Sequence, residues 1–247
     1  MPGKKRLRYG VYGALPKSSI EKIGKEVVAM QLKWYGHSAF KLTTDKGLRI
    51  IIDPYESGFG NGGLTYGKIT DEADLVLTSH EHGDHSYVQD IKGKFTRIEK
   101  EGSHDVAGVK VRAMPCFHDS SKGKDRGKNL IFIIEADGLR LAHLGDLGHH
   151  LTPDILEKMG SVDVLLLPVG GFYTIDAKEA TDVMSAVKPR LTIPMHYKTE
   201  KCAFPITTLD EFTRDKKSVK MMDVTELKVT KESLPKEAEI VVLKHAL

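Results

Sequence analysis

The stretch Ala73-Asp74-Leu75-Val76-Leu77-Thr78-Ser79-His80-Glu81-His82-Gly83-Asp84-His85 decides how the rest of this 247-residue chain is read. Its first half is a short apolar run of the kind that forms a buried strand. Its second half places three imidazoles and a carboxylate within six positions. That ligand set suits zinc and neighbouring divalent ions. His80 and His82 are two apart, so in extended backbone both side chains leave the same side and can hold one ion. Gly83 then permits the turn that points Asp84 and His85 at a second position. The stretch reads as a dinuclear metal site where a strand gives way to a loop, the usual location of an α/β active site.

Outward from this point, strand and helix signals alternate. Gln31–Tyr35, Ala39–Thr43 and Leu48–Ile52 read as strands, the last two joined by a turn at Asp45-Lys46-Gly47. Glu56 to Thr70 holds five glycines and no periodicity, which predicts a long loop, and its length suggests a functional one. Val109–Met114, Leu130–Ile134 and Leu139–His143 are further strands, with Asp137-Gly138 a hairpin turn between the last two. Thr152-Pro153 opens a helix that ends near Gly160, and Val162–Leu167 is a buried strand. Asp176-x-x-Glu179 caps a helix with Ala180, Val183, Met184 and Val187 on its apolar face, ended by Lys188-Pro189. Leu191–Pro194 is the strand that delivers His196. Thr208-x-x-Glu211 starts a late helix, and Ile240–Leu243 adds a closing strand.

Composition fits a globular enzyme. With 40% hydrophobic residues the chain can bury a full core, as one domain or two fused half-domains. No apolar run approaches the ~20 residues of a membrane span, and no secretory signal is recognised. Cys116 and Cys202 are too few for a disulfide framework, so a cytoplasmic location is expected, with Cys116 a small buried thiol. The net charge of +3 is uneven. Residues 1–29 carry seven Lys/Arg and two Asp/Glu, a balance of +5, while the remainder holds 30 basic and 32 acidic residues, a balance of −2. The basic Lys4-Lys5-Arg6-Leu7-Arg8 reads as a solvated tail, and Ser18-x-x-Glu21 as the cap of a short helix carrying Ile20, Ile23 and Val27. Two units are expected: a basic extension with a short helix over 1–29, and a larger domain over 30–247.

The pattern His80-x-His82-x-Asp84-His85 resembles the signature of the metallo-β-lactamase superfamily. Trp34-Tyr35-Gly36-His37-Ser38-Ala39-Phe40 is similar to the opening strand and turn of its broad hydrolase branch, and Ile52-Asp53-Pro54 to the aspartate turn that follows. His118, Asp146 in Leu144-Gly145-Asp146, and His196 in Pro194-Met195-His196-Tyr197 fall where that family's remaining ligands do. The likeness spans roughly Met30 to Thr199. It implies an α/β (α+β) fold, the four-layer αβ/βα sandwich with two sheets face to face and helices outside. It also implies that His80, His82 and His118 hold a first ion, that Asp84, His85 and His196 hold a second, and that Asp146 bridges them. Two Zn2+ ions are expected, with Mn2+ the alternative.

A metal-bridging hydroxide would then be the nucleophile, with Asp84 and Asp146 as the catalytic carboxylates and no serine or cysteine to activate. Asp53 is expected to brace the site by accepting an imidazole N–H, and His37 either to line the pocket or to be a structural turn residue. His149 and His150 read as plain loop residues. In the family's iron-dependent, oxygen-reducing branch a glutamate stands where this chain has His82, which points away from a redox di-iron centre. Trp34–Phe40 and Leu167-Pro168-Val169-Gly170-Gly171-Phe172 most resemble the broad group that includes ascorbate-6-phosphate lactonase.

Ser120–Lys128 reads as a mobile basic loop just after His118, and Lys198 stands two residues beyond His196. Basic groups there favour a small anionic substrate, attacked at an ester, lactone or phosphodiester bond. The chain has no room for the inserted domain of the RNA-cleaving branch, so nucleic acid and membrane are not expected partners, and self-association into a homo-oligomer stays open. The alternative function is a metal-binding or regulatory protein on a non-catalytic hydrolase scaffold.

Overall fold

The computed structural model describes residues 28–247. The expected extension and its short helix therefore lie outside the described residues, except for Val28 and Ala29. Strands β1 (Met30–Gly36), β2 (Ala39–Thr43), β3 (Arg49–Ile52) and β4 (Leu75–Leu77) form the middle of a six-stranded sheet. Its edges are β5 (Thr96–Ile98) and β13 (Glu226–Val229). Alternation along these strands sorts side chains onto two faces, because successive Cβ atoms point to opposite sides. Leu32, Trp34, Phe40, Leu42, Ile50, Ile52, Leu75 and Leu77 join the main core, whereas Tyr35, Ala39, Ile51 and Val76 join a second cluster on the other face. Both faces are buried.

The second sheet has eight strands. The antiparallel run β6 (Gly102–Val106), β7 (Val109–Phe117), β8 (Lys128–Ala136) and β9 (Leu139–His143) leads into parallel strands β10 (Val164–Pro168), β11 (Leu191–Met195), β14 (Glu239–Val242) and β12 (Val219–Met221). The interior parallel pair β10 and β11 is buried at every position, as parallel strands covered on both faces must be. Helices α2 (Pro153–Met159) and α3 (Ala177–Val187) make the crossovers from β9 to β10 and from β10 to β11. Met159, Ala180 and Val183 lie in the main core together with residues of both sheets, so the two sheets pack face to face. The fold is mixed α/β with two sheets.

Local chemistry explains most element ends. Thr152 caps α2 by accepting the Ile155 N–H, with Pro153 in the first turn. Asp176 and Glu179 form a reciprocal capping box on α3. Asp137 (φ 53°) and Gly138 (φ 72°) give the two left-handed residues of a tight hairpin turn. Helix α4 (Leu209–Thr213) follows Thr208 as expected, though Thr208 makes no side-chain cap.

The outer face of the first sheet is covered differently from that of the second. Among the described residues its cover is loop, not long helix: Tyr55, Leu64, Tyr66, Ile69, Ile91, Cys202 and Ile206 pack on Tyr35 and Ile51. The helical turn α1 (Phe59–Gly62) has left-handed backbone at Gly60 and Asn61. The glycine-rich stretch thus works as a layer of the fold, burying aromatic rings where no apolar helical stripe exists. Gly36 (φ +125°) lies against this layer, and a Cβ there would stand 2.4 Å from the Tyr66 ring.

Candidate metal centre

Strands β1, β3 and β4 run in one direction, and β7, β9, β10 and β11 share a direction in the other sheet. Their carboxyl ends collect the proposed site residues on one edge of the sandwich. Asp53 directly follows β3, His80 to His85 follow β4, His118 follows β7, Asp146 follows β9 and His196 follows β11. His37 sits in the turn between β1 and β2.

Three of these residues, His37 (φ 51°), Asp53 (φ 46°) and His196 (φ 51°), have left-handed backbone, which L residues adopt at a cost and which recurs at functional sites. The surroundings hold them there. Trp34 Nε1–H (3.0 Å) and the His196 N–H (3.1 Å) both donate to the His37 carbonyl, and the Asp53 N–H donates to Leu77 O at 2.9 Å.

Asp53 is fully buried and organises two imidazoles at once. Its carboxylate accepts the Ser79 N–H (2.7 Å), the Ser79 hydroxyl (2.6 Å) and His85 Nδ1–H (2.9 Å). With its proton given to Asp53, the Ser79 oxygen accepts His80 Nδ1–H at 2.9 Å. Both rings are thereby oriented with Nδ1–H toward these acceptors and Nε2 turned inward. Burial alone would raise Asp53, but the His85 hydrogen bond and the nearby His143 and His80 keep its carboxyl below the usual range.

Around Asp146 the groups converge. Its Oδ1 lies 3.2 Å from His85 Nε2, and its Oδ2 lies 3.2 Å from His118 Nε2 and 3.3 Å from His196 Nε2. The donor atoms of His80, His82 and His118 lie within 4.8 Å of one another, as do those of His37, Asp84, His85 and His196, and those of His80, His85 and Asp146. The structure therefore brings together all seven residues expected as ligands, and His37 with them. Lys198 is not among them: it is exposed, and its backbone N–H bonds to Thr207.

The residues present fit divalent ions. His80 Nε2, Asp84 Oδ1, His85 Nε2, His118 Nδ1, Asp146 Oδ1, His196 Nδ1 and both nitrogens of His37 are buried without a hydrogen-bond partner. Buried polar atoms are almost always paired, and leaving one unpaired costs about 1–3 kcal/mol. So many in one cluster of imidazole and carboxylate donors are accounted for by cations. The rings offer lone pairs at neutral pH: burial and the neighbouring His85 push His80 down to about 3, and burial with His196 pushes His37 down to about 4. His85 is the exception, raised because the Asp146 and Asp84 carboxylates outweigh its burial.

Supporting residues emerge that the sequence did not single out. Asn129, fully buried at the start of β8, accepts the Asp146 N–H (3.0 Å) and donates to Leu144 O (2.8 Å). Gly145 (φ +53°) passes so close beneath that a Cβ would stand 2.3 Å from Asn129 Oδ1. His143 donates from Nε2 to Ser38 O (2.9 Å) and accepts the Gly145 N–H at Nδ1 (3.0 Å), so it is a satisfied structural histidine. His149 is likewise used up, accepting the Phe117 N–H and donating to His150 O.

A cleft of about 770 Å³ opens beside His80 and His82, lined by Lys100, Arg126 and Lys128 together with Glu81, Glu99 and Glu101. The loop that supplies Arg126, read from sequence as mobile, is wound around Asp119, which accepts the N–H groups of Ser121, Gly123, Asp125 and Arg126 at 2.8–3.1 Å. On the far side of the cluster Phe204 stands edge-on to the His37 ring (6.0 Å) and to Phe59 (6.4 Å).

Residues 31–196 match the β-lactamase superfamily domain. A metal-dependent hydrolase of Thermococcus onnurineus is 33% identical over 195 residues, covering 69% of this chain and 85% of its own. Another, from Carboxydothermus hydrogenoformans, is 30% identical over 196 residues, with the same coverage of 69% and 85%. A Thermotoga maritima crystal structure, described as a candidate Zn-dependent hydrolase of the metallo-β-lactamase superfamily, superposes with a TM-score of 0.72 at 36% identity, covering 87% of this chain and 98% of that one. The chain belongs to the metallo-β-lactamase superfamily, among its metal-dependent hydrolases.

Proposed function

We propose that this enzyme is a dinuclear hydrolase that opens an ester, lactone or phosphodiester bond in a small anionic molecule. The observation that carries the reading is the gathering of unpaired buried imidazole and carboxylate atoms around Asp146. His80, His82 and His118 would hold one ion, Asp84, His85 and His196 the other, and Asp146 would serve both. Zinc suits this donor set, with manganese its competitor. When bound, such a pair acidifies a shared water from a pKa near 15.7 toward about 7 and polarises the bond under attack.

The chain's own residues do the rest. Asp53 and Ser79 orient the rings of His85 and His80. Asp84, whose Oδ1 has no hydrogen-bond partner, would be both a ligand of the second ion and a catalytic carboxylate. Arg126 and Lys128, on the wall beside His80 and His82, supply the positive charge that favours an anion. Residues 30–247 form the catalytic domain and residues 1–29 an appendage. No helix among the described residues is long and apolar enough to cross a membrane. The reading is of a cytoplasmic enzyme acting on a small molecule without nucleic acid.

The test pairs elemental analysis with turnover of bis-(p-nitrophenyl) phosphate and a lactone panel. About two ions per chain are expected, with activity lost to chelator and restored by Zn2+ or Mn2+. A metal-loaded protein inert toward every ester, lactone and phosphodiester would instead indicate a metal-binding protein on a non-catalytic scaffold. Failure to take up any metal would overturn the site itself.

A further inference from the structure

We infer that His37 is itself a metal ligand, closing with Asp84, His85 and His196 a buried position for the second ion and leaving the open side of the centre to the first. The inference rests on the proposal above that the cluster binds metal, and it adds a ligand beyond the seven that the sequence resemblance implies.

The comparison that decides it lies within the protein. His37 and His143 are both fully buried. His143 shows what a structural histidine looks like here, with one ring nitrogen donating to a carbonyl and the other accepting an amide. Neither ring nitrogen of His37 has any hydrogen-bond partner. Its Nε2 lies 3.4 Å from Asp84 Oδ2, and its ring centroid is 4.1 Å from that of His196 and 5.2 Å from that of His85. Those four residues present one donor atom each within 4.8 Å. The backbone is committed to this placement too, through left-handed φ and two hydrogen bonds converging on one carbonyl.

The two positions then differ in kind. Four residues of the second position, all buried, together with the Asp146 bridge would complete a coordination shell, as in closed structural sites. The first position has three imidazoles and the same bridge. Its His82 is exposed and its His80 half-buried beside the cleft, so it keeps room for substrate.

His37→Asn and His37→Cys provide the test. Asn tolerates the left-handed backbone better than most residues, so it removes the imidazole with least disturbance of the turn. Each protein is loaded with Co2+, dialysed against graded chelator and analysed for metal, with the melting temperature of the metal-free form reporting on folding. Wild type should lose its two ions at separate chelator concentrations. His37→Asn should release the tightly held ion at a chelator concentration at least tenfold lower, with an unchanged metal-free melting temperature. His37→Cys should show a thiolate-to-cobalt charge-transfer band absent from wild type, whose Cys116 and Cys202 lie outside the cluster. Retention of both ions by His37→Asn across the wild-type chelator range, or folded His37→Cys without the band, would overturn the inference. A wild-type protein that takes up no cobalt would instead overturn the underlying proposal.

Discussion

The two halves of the metal centre use the same side-chain types and meet water very differently. His37, His85 and His196 are fully or almost fully buried and Asp84 nearly so, behind the Phe204 and Phe59 rings. His82 is exposed and His80 half-buried at the mouth of a cleft whose walls carry opposed charges. A ligand group sealed from solvent cannot exchange partners cheaply, because each donor released is left unpaired. One with an open side can trade a water for a substrate oxygen. On the proposal that both halves bind ions, the difference gives holding to one half and chemistry to the other.

Asp146→Ala should have the largest effect, since this carboxylate reaches His85 with one oxygen and His118 and His196 with the other. Hydrolysis should disappear and at least one ion be lost by elemental analysis. Full activity in this variant would dissolve the comparison altogether. Asp53→Asn comes next. It strikes His85 directly and His80 only through Ser79, and such outer partners are worth about 10- to 100-fold in metal affinity or activity. Chelator titration should show the buried position weakened more than the open one, and equal weakening would blur the distinction.

The double variant Arg126→Ala/Lys128→Ala should spare both ions and raise KM about tenfold, an apparent loss of about 1.4 kcal/mol in substrate binding. A fall in metal content would show that the cleft wall supports the centre rather than the substrate. The smallest effect is expected from removing residues 1–29. Metal content and turnover per site should persist, with some loss of thermal stability or a change in oligomer size. A protein so shortened that binds metal but is inactive would place the extension over the open half.

How much of this was legible in the sequence depends on where a residue lies. The interior strands announce themselves through alternation in β1 to β3, through the apolar run of β10 and through the mostly apolar β11. The four strands that went unread, β5, β6, β12 and β13, are the four sheet edges. Their burial is partial, as in Gly102–Val106 with no buried position, because edges are kept short and polar against mispairing. The candidate ligands His80 to His85 were legible because they crowd six positions, whereas His118, Asp146 and His196 followed only from the family resemblance. Asn129 and His143 were not, because their partners are remote in sequence: Asp146 lies 17 residues from Asn129, and Ser38 lies 105 from His143.

The tail of the chain closes what the first strand opens. Strand β13 covers the free edge of β1, with Gln31 bonding to Glu226 across 195 residues, and the Ala246 N–H donates to Trp34 O at 2.9 Å. During synthesis on the ribosome, His37 and every other proposed ligand up to His196 emerge before the strand that completes the sheet carrying His37. Through most of translation β1 presents an unpaired edge, the kind of surface on which nascent chains mispair. A stop codon between His196 and β13 would therefore leave every proposed ligand on an unfinished frame.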